Sequence, residues 1–478
     1  MLRSTLIYAP AMLLTRLSSL LLLIFATRLV DRAEYGYLTL VVTVGEFTDV
    51  AVTSWLRIAL LRLGGKGDIT RGTLMLAIRV VATTTLIGVL AAAFASRFIT
   101  PDRWGEFATA VSAYLAVSAF SRLALTILQM QQRHTVYSLL ESTRALLQLV
   151  LPLAAALLVS RSFIVMSLAS STAILLAGTG AAWAASRALV PGRARFTHRE
   201  LFALGIPLLA VAAAGFGLNS VERVMLKIYY DAGAVAVFAA AYALARQPID
   251  TIANAINMGG FPEMVSLFDR EGPDAAARHL GAQMSLLGRL SFPVVAMIMV
   301  LGPEISTLFL PAGYHQSAAI LFPLVALNVL AANFTTFVFE NVIHAHKKLW
   351  LLMWSIGPAS LMTITLSILL IPKFAEIGAA LALLGGTLTS LGVVIIVSRR
   401  LMVVPVPWRD LGTSLGVAVA TGLAAWLTSR LLGDVPAFFR LALPGLVGVT
   451  VFLGLHTLLH PVATRALATK VKMRLGLA

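Results

Sequence analysis

Arginines recur inside stretches of this chain that are otherwise apolar. Arg16 lies in the run AMLLTRLSSLLLLIFATRLV at positions 11–30, and Arg57, Arg79 and Arg246 lie in later runs of the same kind. A guanidinium group can bind two oxygens of a phosphate at once, which suits arginine to anionic ligands. We therefore predict these four cations as binding residues for an anionic substrate.

Acidic and amide side chains in the same runs form a second set of candidates: Glu46, Asp49, Asp250, Asn254 and Glu340. Some share a helical face with an arginine, since Arg246, Asp250 and Asn254 follow at four-residue steps. A buried carboxylate that exchanges between an ion and an arginine can couple an ion gradient to a conformational change. We predict coupling or cavity roles for this set, and mutual neutralisation of Arg246 and Asp250 stays open as an alternative.

These residues must be carried by membrane-spanning helices. Of the 478 residues, 59% are hydrophobic and only 12% are charged, and the mean hydropathy is +0.90. Soluble domains average about a quarter charged residues, whereas a helix that crosses a bilayer needs about 20 apolar residues. The chain holds fourteen such runs, at 6–26, 37–60, 73–96, 106–128, 139–160, 163–186, 201–221, 232–258, 283–310, 316–342, 349–371, 375–398, 411–431 and 438–458. The sequence therefore predicts an all-α integral membrane protein without a soluble domain.

Sequence motifs of catalytic and cofactor-binding proteins are absent. The chain has no cysteine, no HExxH zinc motif and no GxxxxGK[ST] phosphate loop, and GGKGD at 64–68 departs from that loop in its spacing. The net charge of +16 is spread over short loops, which disfavours a nucleic-acid site. We predict a protein that is not an enzyme and has no metal or cofactor, with a proton or sodium gradient as its candidate energy source.

The basic residues are distributed unevenly between successive loops. One set of alternate loops carries most of them, for example Arg62, Lys66 and Arg71 in a single loop, and the intervening loops hold few. Basic residues are enriched in cytoplasmic loops. With an even number of spans, both termini are predicted to lie in the cytoplasm. Arg122 and Arg144 lie near predicted helix ends and are interpreted as interfacial residues.

The two halves of the chain resemble each other in their loops. LVDRAEYGYLTL after the first run is matched by IYYDAGAVAVFAAAY after the seventh, with Asp31 opposite Asp231. The second half is longer by one polar loop, SLFDREGPDAAARHLGAQ. We predict two six-helix pseudo-symmetric halves, 1–190 and 191–400, followed by a terminal helix pair and basic tail, 401–478. Repeats of this kind are typical of transporters whose substrate site lies between the halves.

Several segments resemble one family of membrane proteins. They are DRAEYGYLTL after the first run, RARFTHRELFALGIPLL before the seventh, DAGAVAVFAAAYAL and FPEMVSLF in the eighth, and PAGYHQSAAILFPLVAL at the tenth. Through them the chain is similar to the bacterial polysaccharide (oligosaccharide) flippases of the multidrug/oligosaccharidyl-lipid/polysaccharide exporter superfamily. The resemblance implies alternating-access translocation of an undecaprenyl-pyrophosphate-linked oligosaccharide across the inner membrane, for O-antigen, capsule or exopolysaccharide assembly. It also implies that helices one, two, seven and eight line the central cavity.

Other functions stay open at this point. A multidrug/ion antiporter or a flippase of peptidoglycan lipid precursors would have the same architecture, and a membrane scaffold of the polysaccharide assembly complex is the non-transport alternative. For a flippase, the expected partners are the lipid-linked oligosaccharide, membrane lipids and a polysaccharide polymerase with its chain-length proteins, and not nucleic acid. Arg16 lies roughly 15 Å from either interface at about 1.5 Å per residue, where it either binds the pyrophosphate or forms a structural ion pair with Asp49 or Glu46.

The distribution of basic residues gives a direct test of the topology. A reporter fused after Ala478 should be cytoplasmic, and one inserted between Phe374 and Gly378 should be periplasmic, because the loop there holds only Lys373. Alkaline phosphatase activity and fluorescent-protein emission, measured on paired fusions at both positions, report the two sides of the membrane. The reverse pattern would contradict the predicted orientation.

Overall fold

The described part of the chain is built almost entirely from helices. The computed structural model describes residues 2–64, 69–194, 196–433 and 435–459. Its α-helices are α1 (Leu2–Leu29), α2 (Arg32–Asp49), α3 (Trp55–Gly64), α4 (Arg71–Ile99), α5 (Trp104–Met130), α6 (His134–Leu158), α7 (Phe163–Ser186), α8 (His198–Asn219), α9 (Val221–Tyr229), α10 (Ala232–Glu271), α11 (Pro273–Val300), α12 (Gly302–Phe309), α13 (His315–Phe334), α14 (Glu340–Ala345), α15 (Leu352–Arg399), α16 (Trp408–Leu431) and α17 (Ala437–Leu459). Two π-helical turns, Val50–Ser54 and Thr335–Phe339, join α2 to α3 and α13 to α14, and short 3-10 turns occupy Pro101–Arg103, Ala312–Tyr314 and Leu349–Leu351. Within the described ranges, β pairing is limited to one isolated bridge between Thr70 and Val190.

Eleven helical segments of the described chain are long and apolar enough to cross a membrane. This finding confirms the predicted all-α integral membrane fold, whereas the count of fourteen spans stays a prediction. One of the eleven, Leu349–Arg399, contains two of the predicted runs, and its helix α15 is interrupted at Ala375, where φ is 46° and ψ is −125°. The runs predicted at 37–60 and 201–221 are also helical but are not among the eleven.

Two of the predicted coupling carboxylates adjoin the π-helical turns. Asp49 is the last residue of α2, directly before Val50–Ser54, and Glu340 is the first residue of α14, directly after Thr335–Phe339. A π-helical turn replaces the regular hydrogen bonds between residues four apart and is frequent at functional sites. The helical backbone is therefore irregular at both carboxylates.

The polar loop predicted at SLFDREGPDAAARHLGAQ is instead helical. Helix α10 continues to Glu271 and α11 begins at Pro273, so that only Gly272 separates the two helices. Gly272 has a φ of 89°, which a glycine adopts without strain, and proline is well suited to the first turn of a helix. The predicted ends of these helices, at 258 and 283, are wrong because a helix can continue in polar sequence beyond its apolar segment.

The chain forms two compact units. The first comprises Met1–Ala240 with Ile356–Gly386, and the second comprises Ala241–Ser355 with Thr387–Ala478. Each unit has its own apolar core, the first including Leu56 and Leu128 and the second including Leu280 and Val338. This division follows spatial compactness. The predicted halves at 1–190 and 191–400 concern internal sequence repeats and stay a prediction, as does the separate pair at 401–478.

The first unit brings together the starts of α2 and α10, which carried part of the family resemblance. Arg32 donates a hydrogen bond from Nε to the carbonyl oxygen of Gly233 at 2.9 Å. Gly36 approaches α10 so closely that a Cβ atom on Gly36 would overlap the carbonyl oxygen of Ala232. The two helices can therefore make this contact only because position 36 has no side chain.

The close approach at Gly36 predicts a large effect of a small substitution. Gly36→Ala should destabilise the protein by about 1–3 kcal/mol, because the added methyl group must displace the backbone of α10. The melting temperature of the purified protein in detergent measures this effect. Gly392→Ala on α15 is the matched control, since nothing lies within 4 Å of a Cβ there, and it should leave stability unchanged or raise it. Equal melting temperatures for parent and Gly36→Ala would contradict the contact.

Candidate functional site

A polar cavity of about 230 Å³ lies inside the first unit, among α3, α5, α6 and α7. Its charged wall residues are Arg57, Arg122, Glu141 and Arg144, and the rest of the wall consists of tyrosine, hydroxyl and amide groups and two aliphatic side chains. Ser121 adds a buried hydroxyl oxygen that has no hydrogen-bond partner among the described residues. The wall thus combines positive charge with hydrogen-bonding groups inside a membrane protein, where lipid provides neither. A polar or anionic group fits this chemistry.

The most deeply buried charge beside the cavity is the carboxylate of Asp49. Its side chain is fully buried, and its Oδ2 lies 2.7 Å from the NH1 atom of Arg122 on α5. The Thr53 hydroxyl donates to the other carboxylate oxygen, Oδ1, at 2.7 Å. Thr53 lies in the π-helical turn that follows α2, so the irregular backbone supplies one of the two partners of the carboxylate.

A second ion pair lies on the α6 side of the cavity. Arg144 NH2 and Nε lie 2.6 Å and 2.8 Å from Oε2 of Glu141, one helical turn earlier. Arg144 also donates to Gln148, whose amide reaches the Ser170 hydroxyl on α7 at 3.3 Å. The guanidinium of Arg144 is therefore held in the cavity wall by two residues of its own helix, one of which is in turn bound to α7.

Arg57, the third arginine of the cavity, differs from the other two in its contacts with carboxylates. It lies on α3, is half-buried and lines the same cavity as the two ion-paired arginines. In the part of the chain that the structure describes, no carboxylate lies within 4 Å of its guanidinium, although the charge of Asp49 acts on it at longer range. Arg57 therefore gives the cavity one positive charge beyond those neutralised at short range.

In the second unit, the predicted stripe on α10 forms a local ion pair. Arg246 Nε lies 2.6 Å from Asp250 Oδ2, and the Arg246 guanidinium lies over the ring of Tyr242 at 5.6 Å from its centre. Asn254 donates from its side-chain amide to the backbone carbonyl of Asp250 at 2.7 Å. The structure thus contains the mutual neutralisation that was left open as an alternative, and the roles of these residues in transport stay predictions.

Glu340, the remaining candidate of the second unit, lies beside a network of amides. Its neighbour Asn341 donates to Oδ1 of Asn257 at 2.9 Å and to the carbonyl oxygen of Phe337 at 2.8 Å. Gln283 donates to the same Phe337 carbonyl at 3.1 Å. Phe337 belongs to the π-helical turn before α14, so side-chain amides satisfy a carbonyl group of that irregular backbone.

Three predicted residues of the first unit lie outside the cavity wall. Arg79 on α4 and Glu46 on α2 are exposed, and Arg16 on α1 is partly buried, with its backbone carbonyl accepting the Ser19 hydroxyl at 2.9 Å. Of the two carboxylates considered as partners for Arg16, Asp49 pairs with Arg122 as described above. The roles of Arg16, Arg79 and Glu46 stay predictions.

Arg122 and Arg144, interpreted from the sequence as interfacial residues, both line the polar cavity, and each forms an ion pair there. Their depth in the membrane stays a prediction. The pair of Arg144 with Glu141 is visible as a three-residue spacing on one helix. The pair of Arg122 with Asp49 joins two helices that are distant in sequence, and no local pattern predicts it.

The arrangement of helices matches known transporter structures. The structure described as lipid II flippase MurJ in an inward closed conformation has a TM-score of 0.73 at 14% identity, with 95% of this chain and 99% of that chain covered. The eukaryotic MATE transporter AtDTX14 gives 0.55 at 15% identity, covering 87% and 99%. A MOP superfamily transporter from Pyrococcus furiosus gives 0.53 at 15% identity, covering 84% and 94%. These likenesses define a multi-pass membrane protein with the fold of MOP superfamily transporters.

The family follows from the sequence match. Residues 25–319, more than half of the chain, match the family model described as polysaccharide biosynthesis protein, and the chain belongs to that family. This confirms the resemblance found in the segments around the first, seventh, eighth and tenth runs. Comparison with curated protein sequences gives no match.

The ion pair between α2 and α5 gives a prediction on stability. Arg122→Gln should destabilise the protein by about 3–5 kcal/mol, because it leaves the fully buried Asp49 carboxylate without its cationic partner. The double variant Asp49→Asn with Arg122→Gln should recover most of this loss, since the two neutral groups no longer carry an uncompensated charge. Thermal unfolding of parent, single and double variants forms a double-mutant cycle, with Arg71→Gln at the exposed start of α4 as control. Additive effects of the two substitutions would contradict the pairing.

Proposed function

We propose that this protein is a flippase that moves a polyprenyl-pyrophosphate-linked oligosaccharide across the bacterial inner membrane by alternating access, for surface polysaccharide assembly. Membership of the polysaccharide biosynthesis protein family supports the substrate class. The fold shared with MOP superfamily transporters supports the transport activity. The pyrophosphate is the strongest anion of such a substrate, and a cation inside the helix bundle is the feature that would recognise it.

The observation that carries this proposal is the charge of the cavity in the first unit. Glu141 in the cavity wall and Asp49 beside it are each bound at short range by an arginine, whereas Arg57 is not bound by a carboxylate within ion-pair distance among the described residues. The cavity therefore presents a net cation together with hydroxyl and amide groups. Arginine can donate two parallel hydrogen bonds to a phosphate, and the polar groups suit a glycan.

The same observation disfavours binding of a cationic drug in this cavity. A site for an organic cation needs a carboxylate that is available to it, and here Asp49 and Glu141 each lie within 2.7 Å of an arginine nitrogen. A peptidoglycan lipid precursor has the same polyprenyl pyrophosphate and differs from the proposed substrate in its glycan and in the peptide that the glycan carries. A scaffold without transport activity would not need a net cation inside the bundle.

Within this proposal, Asp49 and Asp250 are the coupling groups. Each carboxylate now binds an arginine, and exchange of that arginine for a proton or sodium ion would couple an ion gradient to the change of conformation. Arg16, Arg79, Arg246, Glu46, Asn254 and Glu340 complete the proposed set of substrate and coupling residues. We also propose that both termini are cytoplasmic and that a polysaccharide polymerase and chain-length proteins are partners.

Translocation in proteoliposomes tests the proposal through Arg57. The purified parent should move a fluorescent polyprenyl-pyrophosphate-linked oligosaccharide between leaflets. Arg57→Ala should lower this rate at least tenfold with an unchanged melting temperature, and Arg57→Lys should keep part of it, because lysine keeps the charge but not the forked geometry. Arg161→Ala, at an exposed position in the loop before α7, is the matched control.

Each alternative function gives a different result in the same vesicles. Efflux of a cationic dye without movement of the lipid-linked oligosaccharide would assign the protein to multidrug export. Absence of any movement by a folded parent protein that retains assembly partners would assign it to a scaffold role. Full activity of Arg57→Ala would remove the cavity cation from the mechanism.

A further inference from the structure

A second groove, of about 340 Å³, lies in the second unit between α11 and the start of α16. Six residues of its wall matter here, and we call the site the α11–α16 groove: Arg278, Ala282, Leu286, Arg289, Pro405 and Asp410. The non-helical segment before α16 forms one side of it. Gly281 lets that segment approach, since a Cβ atom there would lie 2.7 Å from the Pro405 carbonyl oxygen. The groove is separate from the cavity of the first unit.

One part of the groove is cationic. Asp410 accepts hydrogen bonds from the Ser285 hydroxyl and from Arg289 NH2, both at 2.7 Å, so it neutralises Arg289. Arg278 is exposed at the same groove, which leaves the wall with one net positive charge from two arginines and one aspartate. The Nε atom of Arg289 is buried and has no hydrogen-bond partner among the described residues. Arg278 is therefore the exposed guanidinium of the groove, and the net charge suits a single anion.

The other part of the groove is apolar. Ala282 and Leu286 follow Arg278 at four-residue steps, so all three lie on one face of α11, and Leu286 is 44% exposed. Pro405 and Val406 of the segment before α16 line the opposite side. A molecule that fills the groove thus meets charge at one end and hydrocarbon along the rest.

The residues at the start of α16 are typical of a membrane interface. Trp408 is 77% exposed, and Arg409 beside it is exposed as well. Tryptophan is enriched at the level of lipid head groups, and basic pockets between membrane helices bind anionic head groups. A groove beside such residues suits a lipid, whose phosphate lies next to its acyl chains at that depth.

We propose that the α11–α16 groove binds an anionic glycerophospholipid of the surrounding membrane. The lipid phosphate contacts Arg278, and one acyl chain lies along Ala282 and Leu286. A zwitterionic lipid has no net charge and would not compensate the positive charge of the groove. A free phosphate would leave the apolar face of the groove uncovered. The site does not depend on which substrate the protein transports.

Native mass spectrometry of the full-length protein, released from detergent with added lipid, tests the proposal. The probes are dioleoylphosphatidylglycerol, dioleoylphosphatidylcholine and glycerol 3-phosphate. The parent should bind the anionic lipid at least fivefold more tightly than the zwitterionic one, and Arg278→Gln should weaken the anionic lipid about fivefold, the effect of one basic residue near a membrane surface. Arg161→Gln, an exposed arginine outside the groove, is the matched control and should bind as the parent does.

Two further variants keep the test decisive if one protein fails to fold. Arg289→Gln combined with Asp410→Asn removes a neutral pair without changing the net charge of the groove, and this variant should keep the preference for the anionic lipid, because Arg278 carries it. Leu286→Asn should weaken the binding of both lipids, because it removes an apolar side chain from the wall of the groove. The proposal would be overturned if the parent bound the two lipids equally, or if Arg278→Gln bound the anionic lipid as tightly as the parent. It would also be overturned if glycerol 3-phosphate bound as tightly as phosphatidylglycerol, which would indicate a site for a free phosphate.

Discussion

The cost of burying charge away from water is the constraint on which the rest of this structure depends. The carboxylate of Asp49 is fully buried, and it is stable there because Arg122 and Thr53 bind its two oxygens. This contact ties the end of α2 to α5, directly before the π-helical turn. The polar cavity of the first unit lies beside the same pair, with Arg57 in its wall.

The ion pairs differ in whether their two residues lie on one helix or on two different helices. Arg144 with Glu141 and Arg246 with Asp250 are one turn apart on their own helices and keep their geometry when helices move against each other. The pair of Asp49 with Arg122 joins two helices and would change in any rearrangement of α2 against α5. A pair between two helices can couple to alternating access directly, because its contact differs between conformational states, whereas a pair on one helix couples only by exchanging its partner, as proposed for Asp250.

The segments that identified the family have physical roles in the described structure. In DRAEYGYLTL, Arg32 binds the backbone of α10, and Gly36 permits the close approach of the two helices. In RARFTHRELFALGIPLL, Thr197 and Glu200 form a reciprocal capping box at the start of α8. The motifs therefore report helix starts and helix contacts, which explains why they indicate the fold more directly than the substrate.

The sequence by itself determined the membrane class, the helical content and the local pairs, because hydrophobic length, capping and one-turn spacings are properties of short segments. It failed at SLFDREGPDAAARHLGAQ, since polarity marks the limit of the hydrocarbon and not the end of a helix, and only Gly272 interrupts the helices there. The tertiary structure alone decided that Arg122 binds Asp49 and that Arg57 shares their cavity. The partner of a buried charge is set by which helices pack together, and that packing is a property of the whole fold.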